Sequence, residues 1–358
     1  MRRIESVYRI FLIVVLLLSI GVISLTDKGI SGKELVIRDS LVSRQFIWIM
    51  VSLLVFFFCY HFGYRRFLGV SIGLYFINLL LLILVLIFGP IKSGAQRWLS
   101  ISGINFQPSE LAKLSIILAI TQYLVSHKDE IIRIKIFITA LAMFLIYILL
   151  IFLQPDLGSA FILVPIFISI ALVCNIRKKN IIILIMLGLL FSPLLWRTLK
   201  EYQKQRILVF INPNIDPLGA GYTVIQSKIA IGSGRLLGKI WFKNPNQFSF
   251  LPESHTDFVF SSLGEKFGFI GTSLIILIYY LLLREILNIG ILTNDPAGKS
   301  IAVGVATMIF SHVFINIGMC LGILPVVGLP LPFISYGGSN LLVNMAGLGI
   351  VASIGKRH

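Results

Sequence analysis

Long apolar runs without formal charge recur along the whole chain and give the first expectation for its fold. Such runs cover residues 10–26, 46–60, 67–91, 114–126, 136–155, 157–176, 180–196, 267–283 and 300–355. A helix of about 18 or more apolar residues is long enough to cross the hydrocarbon core of a bilayer. The pattern therefore predicts an all-α polytopic membrane protein.

Two of these runs need interpretation before the spans are counted. The run at 300–355 is too long for one helix, and its prolines and glycines between 322 and 338 predict a break into two helices. The run at 114–126 is short, but Pro108 is a suitable first residue for a helix that extends it backwards. We expect about ten transmembrane helices in a single integral membrane domain, 1–358, with one large loop at about 197–265 between helices 7 and 8.

Basic residues in the short loops orient the predicted spans. With the N-terminus inside, the inner loops are basic, at 65–66, 128–135 and 177–179. The outer loop at 27–44 also has four basic residues, whereas those at 154–157 and 322–337 have none. The balance places both termini in the cytoplasm and the large loop on the extracytoplasmic side. The first run follows two arginines and could be a secretory signal, but no small-residue cleavage pattern follows it, and we expect a retained helix.

Composition and charge exclude several classes of protein. The chain is 57% hydrophobic and 13% charged with a mean hydropathy of +0.95, which does not fit an ordinary soluble enzyme. The net charge is +16, yet no basic tail or lysine run is present, so we expect a membrane partner and no nucleic acid. Three widely spaced cysteines and five scattered histidines match neither a disulfide framework nor a metal motif.

Ionisable residues near transmembrane helices are candidates for function. In this chain they collect at the predicted outer ends of the spans, and they are Arg97, Glu110, Lys113, Asp156, Glu253, His255, Asp257 and Glu265. An ion-coupled transporter would more often hold such groups at the bilayer midplane. The distribution predicts a site at the extracytoplasmic surface.

Three of these positions each have a structural and a functional interpretation. Glu110 and Lys113 share one helix face, so they form either a local ion pair or, with Arg97 and the helix N-terminus, an anion site. Asp156 begins a helix, where an acidic residue stabilises the first turn without any further role. Asp257 is either a helix N-cap or a partly desolvated general base that accepts a proton from a hydroxyl nucleophile.

The glycine-rich segment 232–239 superficially resembles a phosphate-binding loop. Five residues separate Gly232 from Gly238 where that motif has four, and Ile240 stands where Ser or Thr would coordinate magnesium. We therefore expect no nucleotide site. The glycines are expected to shape turns or to permit close backbone approach.

Several motifs occur together in a fixed order along the chain. They are GAQRWL at 94–99, FQPSELAK at 106–113, QPDLG at 154–158, GAGY at 219–222, QSKIAIGSG at 226–234, FLPE at 250–253, HTDF at 255–258 and PFISYGGS at 332–339. Together they resemble the SEDS family of bacterial shape, elongation, division and sporulation proteins over nearly the whole chain. Gln96 and the segment 324–332 are similar to the elongation members rather than the division members.

The resemblance implies a peptidoglycan glycosyltransferase of the bacterial inner membrane. Such an enzyme polymerises lipid II, an undecaprenyl-pyrophosphate-linked disaccharide-pentapeptide, into β-1,4 glycan strands and releases undecaprenyl pyrophosphate. A divalent cation, Mg or Mn, is expected to assist. A class B penicillin-binding protein, which supplies transpeptidation, and the MreC/MreD elongation complex are the expected partners.

The resemblance also assigns roles to residues of this chain. Asp257 matches the family's essential aspartate and is the expected general base, while Glu110 and Lys113 match polar residues of a central cavity. Arg97 and Lys113 are the expected pyrophosphate contacts, and Asp156, Glu253 and His255 complete the expected substrate-binding set.

Two other functions remain open from the sequence. One is a flippase for the lipid-linked precursor, which would need polar groups along its whole path. The other is a non-catalytic scaffold for the transpeptidase, which would tolerate loss of the Asp257 carboxylate. Arg235, where the family often has glycine, and the segment 239–247 depart from the family pattern and leave the geometry of the large loop open.

Overall fold

Helices dominate the computed structural model of this protein. The structure describes residues 2–25, 32–92, 95–101, 104–131, 133–217, 219–240 and 251–356. Its helices are α1 (Arg2–Leu25), α2 (Gly32–Phe62), α3 (Tyr64–Phe88), α4 (Pro108–Ser126), α5 (Ile134–Leu153), α6 (Leu157–Val173), α7 (Lys178–Thr198), α8 (Glu201–Ile211), α9 (Ala220–Ser233), α10 (Val259–Leu292), α11 (Pro296–Cys320) and α12 (Gly338–Gly355).

Short β-hairpins and 3₁₀ turns complete the described secondary structure. Between α3 and α4, β1 (Ile91–Lys92) pairs with β2 (Ala95–Gln96), and β3 (Leu99–Ile101) pairs with β4 (Ile104–Phe106), both antiparallel. The 3₁₀ turns are Lys128–Glu130 and Pro213–Ile215. The hairpins lead the chain from the end of α3 to Pro108, the first residue of α4.

The predicted multi-span membrane architecture is confirmed. Each of the ten predicted spans lies on a helix of the structure, on α1 to α7 and α10 to α12. Seven helices in the described part are long and apolar enough to cross a membrane by length and composition, while α6 is a shorter apolar helix. Exposed apolar side chains on the outer helices, such as Phe76 on α3 and Leu190 on α7, are what a lipid-facing surface requires.

The helices α11 and α12 form the centre of the bundle. The α12 span is 83% buried and the α11 span 67%, whereas the α2 span is only 17% buried. α12 packs mainly against α2, and α11 packs against α10 and α6, with α4 joining both central helices. Glu110 and Lys113 on α4 and His312 and Asn316 on α11 are accordingly buried among other helices.

Helix α10 begins earlier than the sequence predicts and contains a kink. The sequence pattern ends the large loop at 265, but α10 starts at Val259, and Glu265 and Lys266 are buried within it. Hydrogen bonds to partners distant in sequence offset the cost of burying these two charged side chains. Lys239 Nζ donates to Glu265 at 2.6 Å, and Lys266 Nζ donates to the Ser24 carbonyl at 2.8 Å. At Gly268 the backbone has φ +66° and leaves the helical conformation.

The glycine-rich segment after α9 packs against this kink. Backbone N–H groups of Lys239 and Ile240 donate to the carbonyls of Glu265 and Lys266 at 2.9 and 3.1 Å. In return, the N–H groups of Phe269 and Ile270 donate to the carbonyls of Arg235 and Leu236 at 2.8 and 3.1 Å. These bonds satisfy the backbone groups that the kink frees, and the close backbone approach expected of the glycines is confirmed.

The large loop contains two helices of its own in its described part. They are α8 (Glu201–Ile211) and α9 (Ala220–Ser233). The sequence pattern does not predict α8. Residues 241–250, which include part of the segment that departs from the family pattern, lie outside the described residues.

Candidate active site

Asp257 lies in a tight turn that leads into α10. The N–H groups of Thr256 and Phe258 both donate to the Glu253 carbonyl at 3.2 Å, and Glu253 itself adopts a positive φ of 53°. The N-cap of α10 is Phe258, and no side chain caps the helix. The interpretation of Asp257 as an N-cap is therefore wrong, and its carboxylate is available for another role.

The backbone of this turn is fixed by α11 and by the segment between α11 and α12. Asn316 Nδ2 donates to the Asp257 carbonyl at 2.8 Å and to the Leu329 carbonyl at 2.7 Å. Ser335 Oγ donates to the Thr256 carbonyl at 2.6 Å. The backbone N–H of Tyr336 donates to the His255 carbonyl at 2.9 Å, so His255 joins the turn through its main chain.

Charged neighbours and burial set the acidity of the Asp257 carboxyl. Burial raises its pKa to about 6, and the negative charge of Glu253 acts in the same direction. Arg206 and Arg97 act against this rise through their positive charges. A carboxylate with a raised pKa that is still ionised at neutral pH has the properties of a general base.

Arg206 on α8 is the residue near Asp257 that sequence reasoning misses. Its guanidinium lies 5.9 Å from the centre of the Tyr202 ring, one helical turn earlier. Burial, and then repulsion by Arg97, lower its pKa. The signal that could have found it is the i,i+4 spacing of Tyr202 and Arg206, which places both on one face of a helix.

Arg97 and Asp156 meet at the start of α6. Arg97 donates through Nη2 to the Pro155 carbonyl, and its Nη1 lies 3.8 Å from Asp156 Oδ1. Asp156 caps α6 by accepting the Ser159 N–H at 3.3 Å, and it also accepts from Ser109 Oγ at 2.8 Å. The helix-cap interpretation of Asp156 is confirmed, and the same side chain joins the start of α4 to the start of α6.

Glu110 and Lys113 form a buried cluster between α4, α11 and α12. Lys113 Nζ donates to Glu110 Oε1 at 2.6 Å and lies 2.8 Å from His312 Nε2. Asn340 Nδ2 donates to Glu110 Oε2 at 2.8 Å. The Lys113 side chain is 0% exposed, and the local ion pair predicted as one alternative is present.

The structure thus arranges the predicted site residues in two groups. Asp257, Glu253, Arg97 and Asp156 lie close enough to Arg206 or to one another for their charges to interact. Glu110 and Lys113 belong to the bundle interior, where Lys113 contacts Glu110 and His312. The substrate-binding roles of all these residues stay predictions.

The described residues also bear on the expected divalent cation. Among them, no group of three or more His, Cys, Asp or Glu side chains could hold a metal ion. Glu253 nevertheless supplies an exposed carboxylate beside Asp257, and Mg²⁺ is commonly bound by one or two carboxylates together with the phosphates of a substrate. The donor set fits a cation that binds together with a diphosphate.

Comparisons with known proteins agree with this architecture. The family model of the FtsW, RodA and SpoVE proteins, described as cell cycle proteins, matches residues 8–358. The peptidoglycan glycosyltransferase MrdB of Escherichia coli (strain K12) is 42% identical over 285 residues, 78% of this chain and 76% of that protein. The peptidoglycan glycosyltransferase RodA of Treponema pallidum is 30% identical, with 98% of both chains covered.

A solved structure extends the similarity to the three-dimensional fold. A chain of a peptidoglycan synthase complex, in which polymerization and crosslinking are coordinated, superimposes with a TM-score of 0.83 at 30% identity and covers 97% of each chain. The match of the family model over almost the whole sequence agrees with this superposition. The chain therefore belongs to the SEDS family, the family of FtsW, RodA and SpoVE.

Proposed function

We propose that this protein polymerises lipid II into β-1,4 glycan strands during cell elongation. It is a glycosyltransferase of the class to which its relatives MrdB and RodA belong. The observation that carries the proposal is a carboxylate with a pKa of about 6, Asp257, next to two arginines in a chain of this family. A base beside a cationic pocket is what transfer of a sugar from a diphosphate requires.

In the proposed step, Asp257 takes the proton of the acceptor 4-hydroxyl. The hydroxyl oxygen forms a bond to the anomeric carbon of the donor as the bond to the diphosphate oxygen breaks, and its electron pair leaves with the diphosphate. The configuration at the anomeric carbon inverts. General base catalysis of this kind contributes about 10²–10⁴-fold in rate.

Arg97 and Arg206 are the proposed contacts of the leaving diphosphate. Guanidinium groups match phosphate oxygens in a bidentate geometry and keep their charge when partly buried. Lys113 is a weaker candidate for direct contact, because its ammonium group is fully buried and already paired with Glu110. We propose that it maintains the helix packing beneath the site.

A divalent cation, Mg or Mn, would be held by Glu253 together with the substrate diphosphate, which leaves the Asp257 carboxylate available as the base. When bound, it would neutralise negative charge that develops on the diphosphate. Glu253 is exposed and its Oε2 accepts a hydrogen bond from Thr256 Oγ1 at 2.9 Å, so it is oriented toward its own turn.

The proposed setting is the bacterial inner membrane, with both termini in the cytoplasm and Asp257 on the extracytoplasmic face. A class B penicillin-binding protein is the proposed partner for crosslinking, within the MreC/MreD elongation complex. The similarity to a chain of a peptidoglycan synthase complex supports such a partner.

Reconstitution with purified lipid II tests the proposal. The wild type, with and without a class B partner, is expected to form glycan polymer. Asp257→Asn, which keeps the size of the side chain, is expected to form none. Glu201→Gln is the matched control because it changes an exposed carboxylate, on α8, that pairs with Lys204.

Two other outcomes would contradict parts of this proposal. Equal polymer from wild type and Asp257→Asn would show that another group is the base. Lipid II translocation without polymer under any partner condition would contradict the proposal and favour the flippase.

A further inference from the structure

Asn316 on α11 has a buried amide group that no step of the proposed reaction uses. Its side chain is 0% exposed. Its Nδ2 donates to two main-chain carbonyls from different parts of the chain, that of Asp257 at 2.8 Å and that of Leu329 at 2.7 Å. Because a buried amide is costly without partners, Asn316 stabilises one relative arrangement of these two segments.

The Asp257 carboxylate lies against the segment to which Leu329 belongs. A Cβ on Gly328 would lie 3.1 Å from Asp257 Oδ2, so the carboxylate and the Gly328 backbone are close neighbours. Gly328 directly precedes Leu329 in the chain, and it has a positive φ of 71°. A single amide therefore fixes both the main chain that carries the carboxylate and the main chain beside which the carboxylate lies.

Ser335 connects the same two segments a second time. Its Oγ donates to the Thr256 carbonyl at 2.6 Å and accepts the Leu331 N–H at 2.8 Å. The Ser335 side chain is also buried, at 5% exposure. Two buried polar side chains thus make four hydrogen bonds to the main chain of the segments 256–257 and 329–331.

The Asp257 turn, residues 253–258, needs such contacts because its own bonds constrain it little. The N–H groups of Thr256 and Phe258 share the Glu253 carbonyl at 3.2 Å each. Glu253 has a positive φ of 53°, a strained conformation for a residue other than glycine that persists only where the surrounding structure fixes it. Contacts from outside the turn therefore determine the direction in which the carboxylate points.

We propose that Asn316 and Ser335 are positioning residues for the reaction, which hold the Asp257 carboxylate in one orientation against the Gly328 backbone. This assignment rests on the proposed function and adds to it two residues that act through Asp257 without contacting the substrate. A misplacement of a reacting group by about 1 Å can lower a rate about 10²-fold. Since substrate contacts stay intact, loss of either residue lowers kcat and leaves KM in place.

Glycan formation from lipid II by the reconstituted full chain with a class B partner tests this division. Asn316→Leu keeps the size of the side chain and removes both N–H donors, and it is expected to lower kcat about tenfold or more. Ser335→Ala removes one hydroxyl and is expected to lower kcat about threefold to tenfold. Both variants are expected to change KM less than about twofold. If Asn316→Leu does not fold, the smaller change Ser335→Ala decides the test.

Ser353 near the other end of α12 provides the matched control. Its hydroxyl also accepts a main-chain N–H, that of Tyr64 at 2.9 Å, and donates to a main-chain carbonyl, that of Ile350 at 2.6 Å. The side chain is 1% exposed. Ser353→Ala is expected to lower the unfolding temperature as Ser335→Ala does, with kcat unchanged. An equal loss of kcat in both serine variants would overturn the positioning role.

Hydrogen exchange of the Asp257 turn provides a readout that does not depend on turnover. Peptides containing 253–258, from the full chain in nanodiscs, are expected to exchange faster in Asn316→Leu and Ser335→Ala than in the wild type and Ser353→Ala. Unchanged exchange in the first two variants would overturn the proposal, as would faster exchange with unchanged kcat. Faster exchange in a protein whose wild type never forms polymer would support the contacts to the turn and contradict the polymerase.

Discussion

At the scale of single residues, the chemistry depends on the charges around the Asp257 carboxyl. Its pKa of about 6 reflects burial and Glu253 on one side and two arginines on the other. A base must be ionised, so kcat/KM of polymerisation is expected to fall as the pH drops through about 6. Removing the Glu253 charge removes a cause of the raised pKa, and Glu253→Gln is expected to move this fall to lower pH.

The measurement is the pH profile of glycan formation for the wild type and Glu253→Gln. Glu201→Gln, which also removes one carboxylate from the exposed surface, is expected to leave the profile in place. A shift of the Glu253→Gln profile to higher pH would contradict this account of the carboxyl.

The sequence predicts a site residue when that residue stands in a recognisable motif. It does not predict a residue that reaches the site only through the packing of the fold. Asp257, Glu253, Arg97 and Asp156 stand in short motifs, and the structure brings their charged groups into one interacting set. Arg206 lies on α8, a helix that the sequence does not predict, and its importance comes from the packing of α8 beside Arg97. No local pattern contains that contact.

At the scale of elements, the kink of α10 depends on Gly268. A side chain there would need the positive φ of 66°, and its Cβ would lie 2.6 Å from the Leu236 carbonyl oxygen. Gly268→Ala is expected to lower the stability by about 1–3 kcal/mol or more, because the strain adds to the contact with the docked segment. Thermal unfolding in detergent measures the loss.

Gly188 on α7 is the matched control for this substitution. A Cβ at Gly188 meets nothing within 4 Å, and its φ is not positive. Gly188→Ala is expected to be neutral or stabilising, since alanine is the better helix former. Equal unfolding temperatures for the two variants would disprove a special role of Gly268.

Helices are predicted here from runs of apolar residues, so a charged residue that is buried inside a helix by a partner distant in sequence is wrongly assigned to a loop. All ten predicted spans lie on helices. The predicted start of α10 is too late because Glu265 and Lys266 are expected in the loop. Inside the helix they are paired with Lys239 and the Ser24 carbonyl, 26 and 242 residues away along the chain.

At the scale of the whole molecule, the most buried of the seven membrane-spanning helices are the least apolar in sequence. α12 is the most buried of the seven spans, and its sequence is the least apolar of them. Outer helices need apolar side chains toward lipid, while central helices can carry polar groups that pair with each other. The sequence predicts that the protein is a polytopic membrane protein. Which helix occupies the centre of the bundle depends on how the helices pack, and the sequence does not predict it.

The Lys113–Glu110 pair is the clearest case of such pairing in the bundle. The two side chains are 0% and 3% exposed and 2.6 Å apart, and Asn340 and His312 tie them to α12 and α11. Lys113→Met leaves a buried carboxylate unpaired and is expected to cost about 3–5 kcal/mol, as is Glu110→Gln for the unpaired ammonium. The double variant is expected to lose less than the sum, because neither charge then remains.

A surface pair of the same spacing provides the control for this coupling. Lys204 and Glu201 are 2.9 Å apart on α8, and the corresponding cycle of single and double variants is expected to give about 0.2–1 kcal/mol. Denaturant unfolding of all six variants measures both couplings. Since water screens only the surface pair, the buried coupling is expected to be the larger, and a buried coupling no larger than the surface one would show that the bundle does not depend on Lys113 and Glu110.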